Sequence, residues 1–380
     1  MIFRLGELFC GPGGLALAAI RSAVEKDGEE YRIVHGWAND IDEATCRTYR
    51  RNIAGSHPES VICKSVRELD IESLPPIDGL AFGFPCNDYS IVGEQKGMSG
   101  DYGPLYTYGE KVLNTHRPKW FVAENVGGLQ SANEGQAFHE ITSRLQKAGP
   151  GYMLTVHLYK FHHYGVPQIR HRIIIVGIER GLGLKFQVPA PTTLERPVTA
   201  GEALAGIPLD ATHNELTRQS GAVVERLKHI PPGENAWYEG IPVNLRLNVK
   251  GATMSQIYKR LHPDKPSYTI TGSGGGGTHG YHWTEHRALT NRERARIQSF
   301  PDDYIFEGSK ESVRKQIGMA VPPAGAQVIF EALLKTFAGI PYESVPARWE
   351  IEGSEDPAAK AKPAKQKAPK HVLAEQLVLL

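Results

Sequence analysis

Three groups of residues in this 380-residue chain have types and spacing suited to chemistry. The first is Pro85-Cys86, at the end of the apolar run "IDGLAFGFPC". A thiol there can be a small buried side chain, a disulfide partner, a metal ligand or, as thiolate, a nucleophile. The second is Glu124-Asn125, which follows the apolar stretch "WFVA". The third is Gln168, Arg170 and Arg172, alternating just ahead of "IIIVGI". Residues at i, i+2 and i+4 of an extended segment face the same way. The spacing therefore predicts one polar face with an amide and two guanidinium groups. Singly, each group has an ordinary explanation: a small hydrophobe, a cap, a salt bridge. Together they supply a nucleophile, an acid and cationic hydrogen-bond donors.

A fourth group suits a nucleotide-like ligand. "LFCGPGG" closes the first apolar run, and Gly11, Gly13 and Gly14 let the backbone turn tightly and approach a ligand. The next strand-like run ends in "WANDID". An acid there, Asp40, can accept both hydroxyls of a ribose, and Ile41 can pack on an adenine ring. Asp42 is read as the cap of the following helix. "TGSGGGG" lacks the lysine of a phosphate-binding loop. The histidine pair of "FHHYG" has no companions at metal spacing, so no metal ligand set is expected.

Strands must carry these groups. "IFRLGELF", "RIVHGWAND", "DGLAFGF", "KWFVAENV", "MLTVHLYKF" and "RIIIVGI" alternate with helix-length segments. That pattern predicts an α/β fold with a doubly wound sheet. The chemistry-bearing groups fall at strand ends, where open α/β sheets bind ligands. Past Pro189, Pro and Gly punctuate the chain, and a second, smaller, loop-rich domain is expected. Helical character returns at "TNRERARIQSF" and "PPAGAQVIFEALLKTF". The expected organisation is a catalytic and cofactor-binding domain over 1–188, a recognition domain over 189–285 and a return segment over 286–345. A disordered basic tail is expected over 346–380.

Composition narrows the class without naming a partner. The formal net charge is +1, and the four cysteines show no CxxC spacing. A reducing compartment is expected. No charged-then-apolar leader opens the chain, and no unbroken apolar run reaches the length of a membrane span, so a soluble intracellular protein is expected. Charge is uneven, however. Residues 244–300 hold nine Lys/Arg against three Asp/Glu, among aromatics and glycines. This is either the footprint of a nucleic-acid surface or an ordinary solvated face.

In order along residues 1–335, these segments resemble the motifs of C5-cytosine DNA methyltransferases of the bacterial restriction–modification type. "LFCGPGG" is similar to the first cofactor motif and "GFPC" to the proline–cysteine motif. "GPLY", "ENV", "QIRHR", "LTNRERARIQSFPDDY" and "GMAVPP" resemble the later motifs in sequence. The resemblance implies a Rossmann-like methyltransferase sheet and S-adenosylmethionine held by Phe9, Gly11, Gly13, Gly14, Asp40, Ile41 and Leu105. It implies Cys86 as nucleophile toward C6 of cytosine, Glu124 as partly protonated acid at N3, and Arg170 and Arg172 as cations beside them. Pro85, Asn125 and Gln168 would serve the base and the DNA, and residues 87–104 would form a loop closing over an extruded base. It further implies double-stranded DNA as partner, a cognate restriction endonuclease acting separately, a monomer, and a cytoplasmic, nucleoid-associated location. The chain departs from the family pattern at Glu7, at Asn87, at Ser65 with Asp70 five residues on, and at Met319.

Two other readings compete. A tRNA cytosine-C5 methyltransferase shares the fold, but the long basic and aromatic variable region favours DNA. A non-catalytic DNA-binding relative would not need Cys86, Glu124 and the QxRxR set intact. A nicotinamide oxidoreductase explains neither the proline–cysteine nor the QxRxR segment.

Overall fold

The computed structural model describes residues 1–84, 105–129, 135–248, 254–272 and 277–354. Pro85, Cys86, the segment 87–104 and the tail from residue 355 lie outside the described residues. The first half of the chain alternates strands and helices: β1 (Ile2–Leu8), α1 (Gly14–Arg21), β2 (Ala23–Lys26), β3 (Glu29–Asp40), α2 (Glu43–Tyr49), β4 (Val61–Cys63), β5 (Gly79–Gly83), α3 (Tyr106–His116), β6 (Trp120–Val126), α4 (Gln136–Lys147), β7 (Tyr152–Lys160) and β8 (His171–Glu179). Then come β9 (Val188–Pro189), α5 (Ala200–Leu204), α6 (Gly221–Lys228), α7 (Asn291–Ile297), α8 (Lys310–Met319), α9 (Pro323–Ala338) and β10 (Ser344–Val345).

Eight strands form one sheet in the order β2-β3-β1-β5-β6-β8-β7, with β4 also paired to β3. β1, β3, β5 and β6 are parallel, while β8 runs antiparallel to both β6 and β7. All six strands expected from the apolar runs are present. β2 and β4 were not expected, being only four and three residues long. Successive residues of a strand feed opposite faces. Trp120 and Val122 of β6 join one hydrophobic cluster, with α1 and α9, and Phe121 and Ala123 join the other, with α3 and α4. Helices on both faces make the sheet doubly wound.

Stretch 310–338 has the length and apolar composition of a membrane span, which a search for unbroken apolar runs overlooks. It forms two consecutive helices, and 72% of its most apolar window is buried, as in a core helix.

The basic excess over 244–300 is mostly internal wiring. Its six arginines, Arg246, Arg260, Arg287, Arg292, Arg294 and Arg296, all donate to carbonyls or carboxylates of the protein. Arg260 is 3% exposed and donates to the carbonyls of Leu227, Ile230, His282 and Glu285, tying α6 to the 282–285 turn. A carbonyl-rich, loop-built region needs such donors because few of its backbone groups pair in ladders. The nucleic-acid footprint read from composition therefore loses Arg260, Arg292 and Arg294, which are buried, as surface charge.

Residues 346–354 were expected to belong to a disordered tail. They pack along the free edge of β7. Trp349 N–H donates to the Val156 carbonyl at 3.3 Å, and Leu154 N–H donates to Ser354 Oγ at 2.9 Å. Trp349 and Ile351 join the second cluster. Covering an edge strand satisfies its outward backbone groups.

Beneath the β1–α1 turn lies a buried carboxyl. Glu7 is 1% exposed and accepts a 2.9 Å hydrogen bond from the Tyr49 hydroxyl. Burial pushes its pKa up to about 8; the Tyr49 bond opposes the rise and the nearby Asp40 adds to it.

Two outcomes follow. Truncation after Arg348 removes Trp349, Ile351 and Ser354, and is expected to cost about 2–5 kcal/mol in denaturant unfolding, relative to truncation after Ser354. Glu7 has a folded pKa above its unfolded value. Its stabilising contribution is therefore complete below pH 4.5 and is lost as pH rises through about 8. Glu7→Gln is expected to flatten this dependence and to be more stable than the parent at pH 9 by a few (roughly 2–5) kcal/mol. Equal unfolding midpoints for the two at pH 9 would contradict it.

Candidate active site

The β1–α1 turn places three residues in the left-handed region, Phe9 (φ 52), Gly11 (φ 55) and Gly13 (φ 91). Glycine tolerates this at no cost and Phe9 does not. A Cβ on Gly14 would collide with the Val321 carbonyl, so α1 needs glycine to seat against the entry to α9. A Cβ on Gly11 would meet nothing within 4 Å, so that side of the turn is open. The Tyr304 hydroxyl donates to the Pro12 carbonyl and fixes the turn from behind.

Asp40, at the end of β3, joins this turn. Its Oδ2 accepts the Gly11 N–H and its Oδ1 the Asp42 N–H, both at 3.0 Å. Burial raises its pKa, and those backbone bonds oppose the rise. Asp42 caps α2, accepting from Thr45 N–H at 2.8 Å and from Thr45 Oγ1 at 2.7 Å. Ile41 is 71% exposed beside them. Sequence reasoning missed Asn39, whose Nδ2 donates to the Ile62 and Lys64 carbonyls and holds the β4 exit against β3. Ser65 caps the short turn after β4, and Asp70 is exposed. Leu105 is buried at the start of α3.

Glu124 and Arg172 meet at the other end of the same sheet edge. Because β8 is antiparallel to β6, its first residues lie beside the last residues of β6, with Arg172 opposite Val126. Glu124 Oε1 accepts from Arg172 Nε at 2.7 Å, and both side chains are nearly buried. Arg172 Nη1 also donates to the His171 carbonyl. Gly83 of β5 is in register with Glu124, and a Cβ there would lie 3.1 Å from Glu124 Oε2. Asn125 Nδ2 donates to the Phe84 carbonyl at 3.2 Å, anchoring the residue just ahead of Pro85. A carboxylate, its guanidinium partner and the chain leading to Cys86 thus converge at the exit of β5 and β6.

The spacing of Gln168, Arg170 and Arg172 does set them on one side of the segment, with Ile169 and His171 exposed between them, but most of that side is buried in the protein. Arg170 is 2% exposed and donates to the Ile270 carbonyl at 3.2 Å and the Gly318 carbonyl at 3.1 Å. Gln168, fully buried, accepts from Ile270 N–H at 2.9 Å and donates to Gln298 Oε1 at 2.8 Å. Burial alternates over 168–171, as in an extended segment, and the face that carries Gln168 and Arg170 is covered by the 267–272 stretch and the return segment. Arg170 ties the Ile270 and Gly318 carbonyls, and Arg172 is the member of the three that pairs with Glu124. Gln298 was missed, although a glutamine at the end of an otherwise charged and apolar helix was a usable signal. Met319, in place of the expected asparagine, is 65% exposed.

The profile of C-5 cytosine-specific DNA methylases matches residues 3–335. The type II methyltransferase M.BbvI of Brevibacillus brevis is 64% identical over 359 residues, covering 93% of this chain and 96% of its own. The type II methyltransferase M.NgoFVII of Neisseria gonorrhoeae is 41% identical over 342 residues, covering 88% and 87%. Among solved structures, the Entamoeba histolytica methyltransferase EhMeth superimposes with a TM-score of 0.58 at 16% identity, covering 89% of this chain and 99% of its own. The S. pombe Dnmt2 methyltransferase gives 0.55 at 14%, covering 90% and 100%. At those identities the structures speak for the fold alone. A doubly wound sheet with a reversed β8, a glycine turn facing Asp40 and a Glu–Arg pair at the strand exit thus sit within a sequence match over most of the chain: it belongs to the C-5 cytosine-specific DNA methylase family and is a DNA cytosine-5 methyltransferase of the restriction–modification type.

Proposed function

We propose that the chain methylates C5 of a cytosine flipped out of a specific double-stranded DNA sequence, through a covalent bond from Cys86 Sγ to C6. The Glu124–Arg172 pair carries this reading, because it sets an acid and a cation beside the strand that leads to Cys86. C6 of cytosine is a poor electrophile until N3 receives a proton or a strong hydrogen bond. Glu124 supplies that at N3 and accepts from the exocyclic amine. The Arg172 guanidinium holds Glu124 in place and offers donors for the base oxygen. Attack by the Cys86 thiolate on C6 then pushes electron density onto C5. Loss of the C5 proton and expulsion of the thiolate restore the aromatic ring. The target has to leave the duplex, since C6 is shielded in the stack. Pro85 sets the entry of Cys86, Asn125 fixes the residue before it, and the segment 87–104 covers the extruded base.

S-adenosylmethionine, when bound, supplies the electrophilic methyl that C5 takes. The residues fit it: an open glycine turn at Gly11, a carboxylate at Asp40 and an exposed apolar Ile41. Phe9, Gly13 and Gly14 shape the turn, and Leu105 is assigned to the same site from the family motif. Asp40 would hold the ribose hydroxyls while keeping the Gly11 N–H. The region 189–285 reads the target sequence as a recognition domain. The enzyme acts as a monomer in the cytoplasm, on the nucleoid, and protects DNA from a separate endonuclease.

Fluorine at C5 cannot leave as a cation, so a duplex with 5-fluorocytosine at the target is expected to give a denaturant-stable adduct that needs S-adenosylmethionine. Glu124→Gln is expected to slow adduct formation by roughly 10²–10⁴, and Cys86→Ser to form none. Methylation of normal DNA with no trapped complex on the fluorinated duplex would refute the covalent route. Trapping on RNA but not DNA would move the enzyme to the tRNA branch. Asp40→Ala is expected to weaken S-adenosylmethionine by about 1.5–3 kcal/mol in calorimetric titration; unchanged affinity would remove Asp40 from the cofactor site.

A further inference from the structure

One segment of the variable region is held to the catalytic sheet residue by residue. Ser267 N–H donates to the Pro167 carbonyl at 2.9 Å, and Ile169 N–H donates to the Ser267 carbonyl at 2.7 Å. Thr269 Oγ1 donates to the Ile169 carbonyl at 2.6 Å. Then Gln168 and Arg170 take both backbone groups of a single residue. Gln168 Oε1 accepts the Ile270 N–H, and Arg170 Nη1 donates to the Ile270 carbonyl. Beyond Ile270, a Cβ on Gly318 would collide with Thr271 and the Gly272 nitrogen, so the end of α8 closes on the same stretch from the other side. Arg170 Nη2 completes the ring by donating to the Gly318 carbonyl.

This arrangement fixes register as well as contact. Both clamping side chains are buried. A one-residue slip of 267–272 would leave their buried donors and acceptors without these partners, which opposes the slip. A buried guanidinium is not the most stabilising filler of such a space, since an apolar side chain avoids its desolvation. What it adds is direction: a planar fork that accepts one placement of two carbonyls. Arg172, which holds Glu124, follows two residues after Arg170. The Gly318–Val321 stretch that touches Gly272 also meets Gly14 of the glycine turn. The clamp on 267–272 and the Glu124–Arg172 pair are thus joined by the five-residue stretch 168–172.

We propose that Gln168 and Arg170 are positioning residues that act through Ile270 and Gly318. They make the placement of the Glu124–Arg172 pair depend on correct seating of the recognition region, so that a matched DNA site is converted into turnover. This rests on the reading of 189–285 as the recognition region and of Glu124 as the group at N3. A mismatched duplex seats the region out of place, and the clamp passes that error to the carboxylate.

The test uses the full chain with Arg170→Lys, which keeps the charge and loses the two-pronged fork, and with Gln168→Met, which keeps the volume and loses the Ile270 bond. Kinetic constants are measured on the cognate duplex and on single-mismatch duplexes, with S-adenosylmethionine affinity and thermal midpoint beside them. The expected result is a fall in kcat on the cognate duplex with KM for that duplex and cofactor affinity nearly kept. The ratio of cognate to mismatched kcat/KM is expected to shrink by about tenfold, because mismatched sites already lack the seated clamp. A role in folding alone would lower the thermal midpoint and scale all duplexes together, and an unchanged ratio would overturn the proposal. Should Arg170→Lys not fold, Gln168→Met decides by the same ratio. The fluorocytosine trap with the parent enzyme separates the two levels. An intact trap with unchanged discrimination in the variants removes only the clamp, whereas failure of the parent to trap removes the mechanism on which it rests.

Discussion

The antiparallel ladder between β6 and β8 sets where the rest of the site has to be. In a wholly parallel sheet the start of a strand lies at the opposite edge from its neighbour's end. Here β8 begins where β6 finishes, which brings Arg172 beside Glu124 without a long side-chain reach. The same reversal puts residues 161–170 on the edge that also carries the β1 turn and the exit of β5. The glycine turn, Asp40 and the Glu124–Arg172 pair then lie at one edge of the sheet. The opposite side is free for ordinary packing and loop closure.

Buried arginines form the second layer of organisation. Arg170, Arg260, Arg292 and Arg294 are each nearly inaccessible, and each satisfies carbonyls from segments distant in sequence. Arg292 alone gathers the carbonyls of Thr212, Pro301 and Tyr304. Loops that make few ladder hydrogen bonds leave carbonyls inside the fold, and each buried carbonyl needs a donor. Guanidinium groups, with five donors in a fixed plane, supply several at once. That explains how a region with helices of only five and eight residues, α5 and α6, encloses apolar clusters at all. It also explains why composition gave a misleading picture of surface charge there.

Departures from the family pattern are absorbed locally. Glu7 is longer than the usual aspartate, and its carboxyl sits in a closed pocket against Tyr49 rather than at the open face of the turn. Ser65 keeps a capping role after β4, and the opposite side of the β3–β4 exit is held by Asn39. Neither change alters the glycine turn or the grip of Asp40 on Gly11.

The sequence by itself determined the six principal strands, the glycine turn, Asp42 as helix cap and the positions of Glu124 and Asn125 at a strand end. Those follow from local rules: apolar runs of strand length, glycine where φ is positive, and a capping aspartate. Tertiary structure alone decided which polar residues share a site. Gln168, Arg170 and Arg172 have the same spacing in sequence, yet two are sealed under Ile270 and Gly318 and only Arg172 meets Glu124. The fates of the arginines in 244–300 and of Trp349 and Ser354 were likewise hidden, because hydrophobic and charge patterns record what a residue is and not which distant carbonyl or strand edge needs it. Direction of a strand in a sheet belongs to the same class: β8 reads as one more apolar run, and only its ladder with β6 and β7 shows that it runs backward and so completes the site.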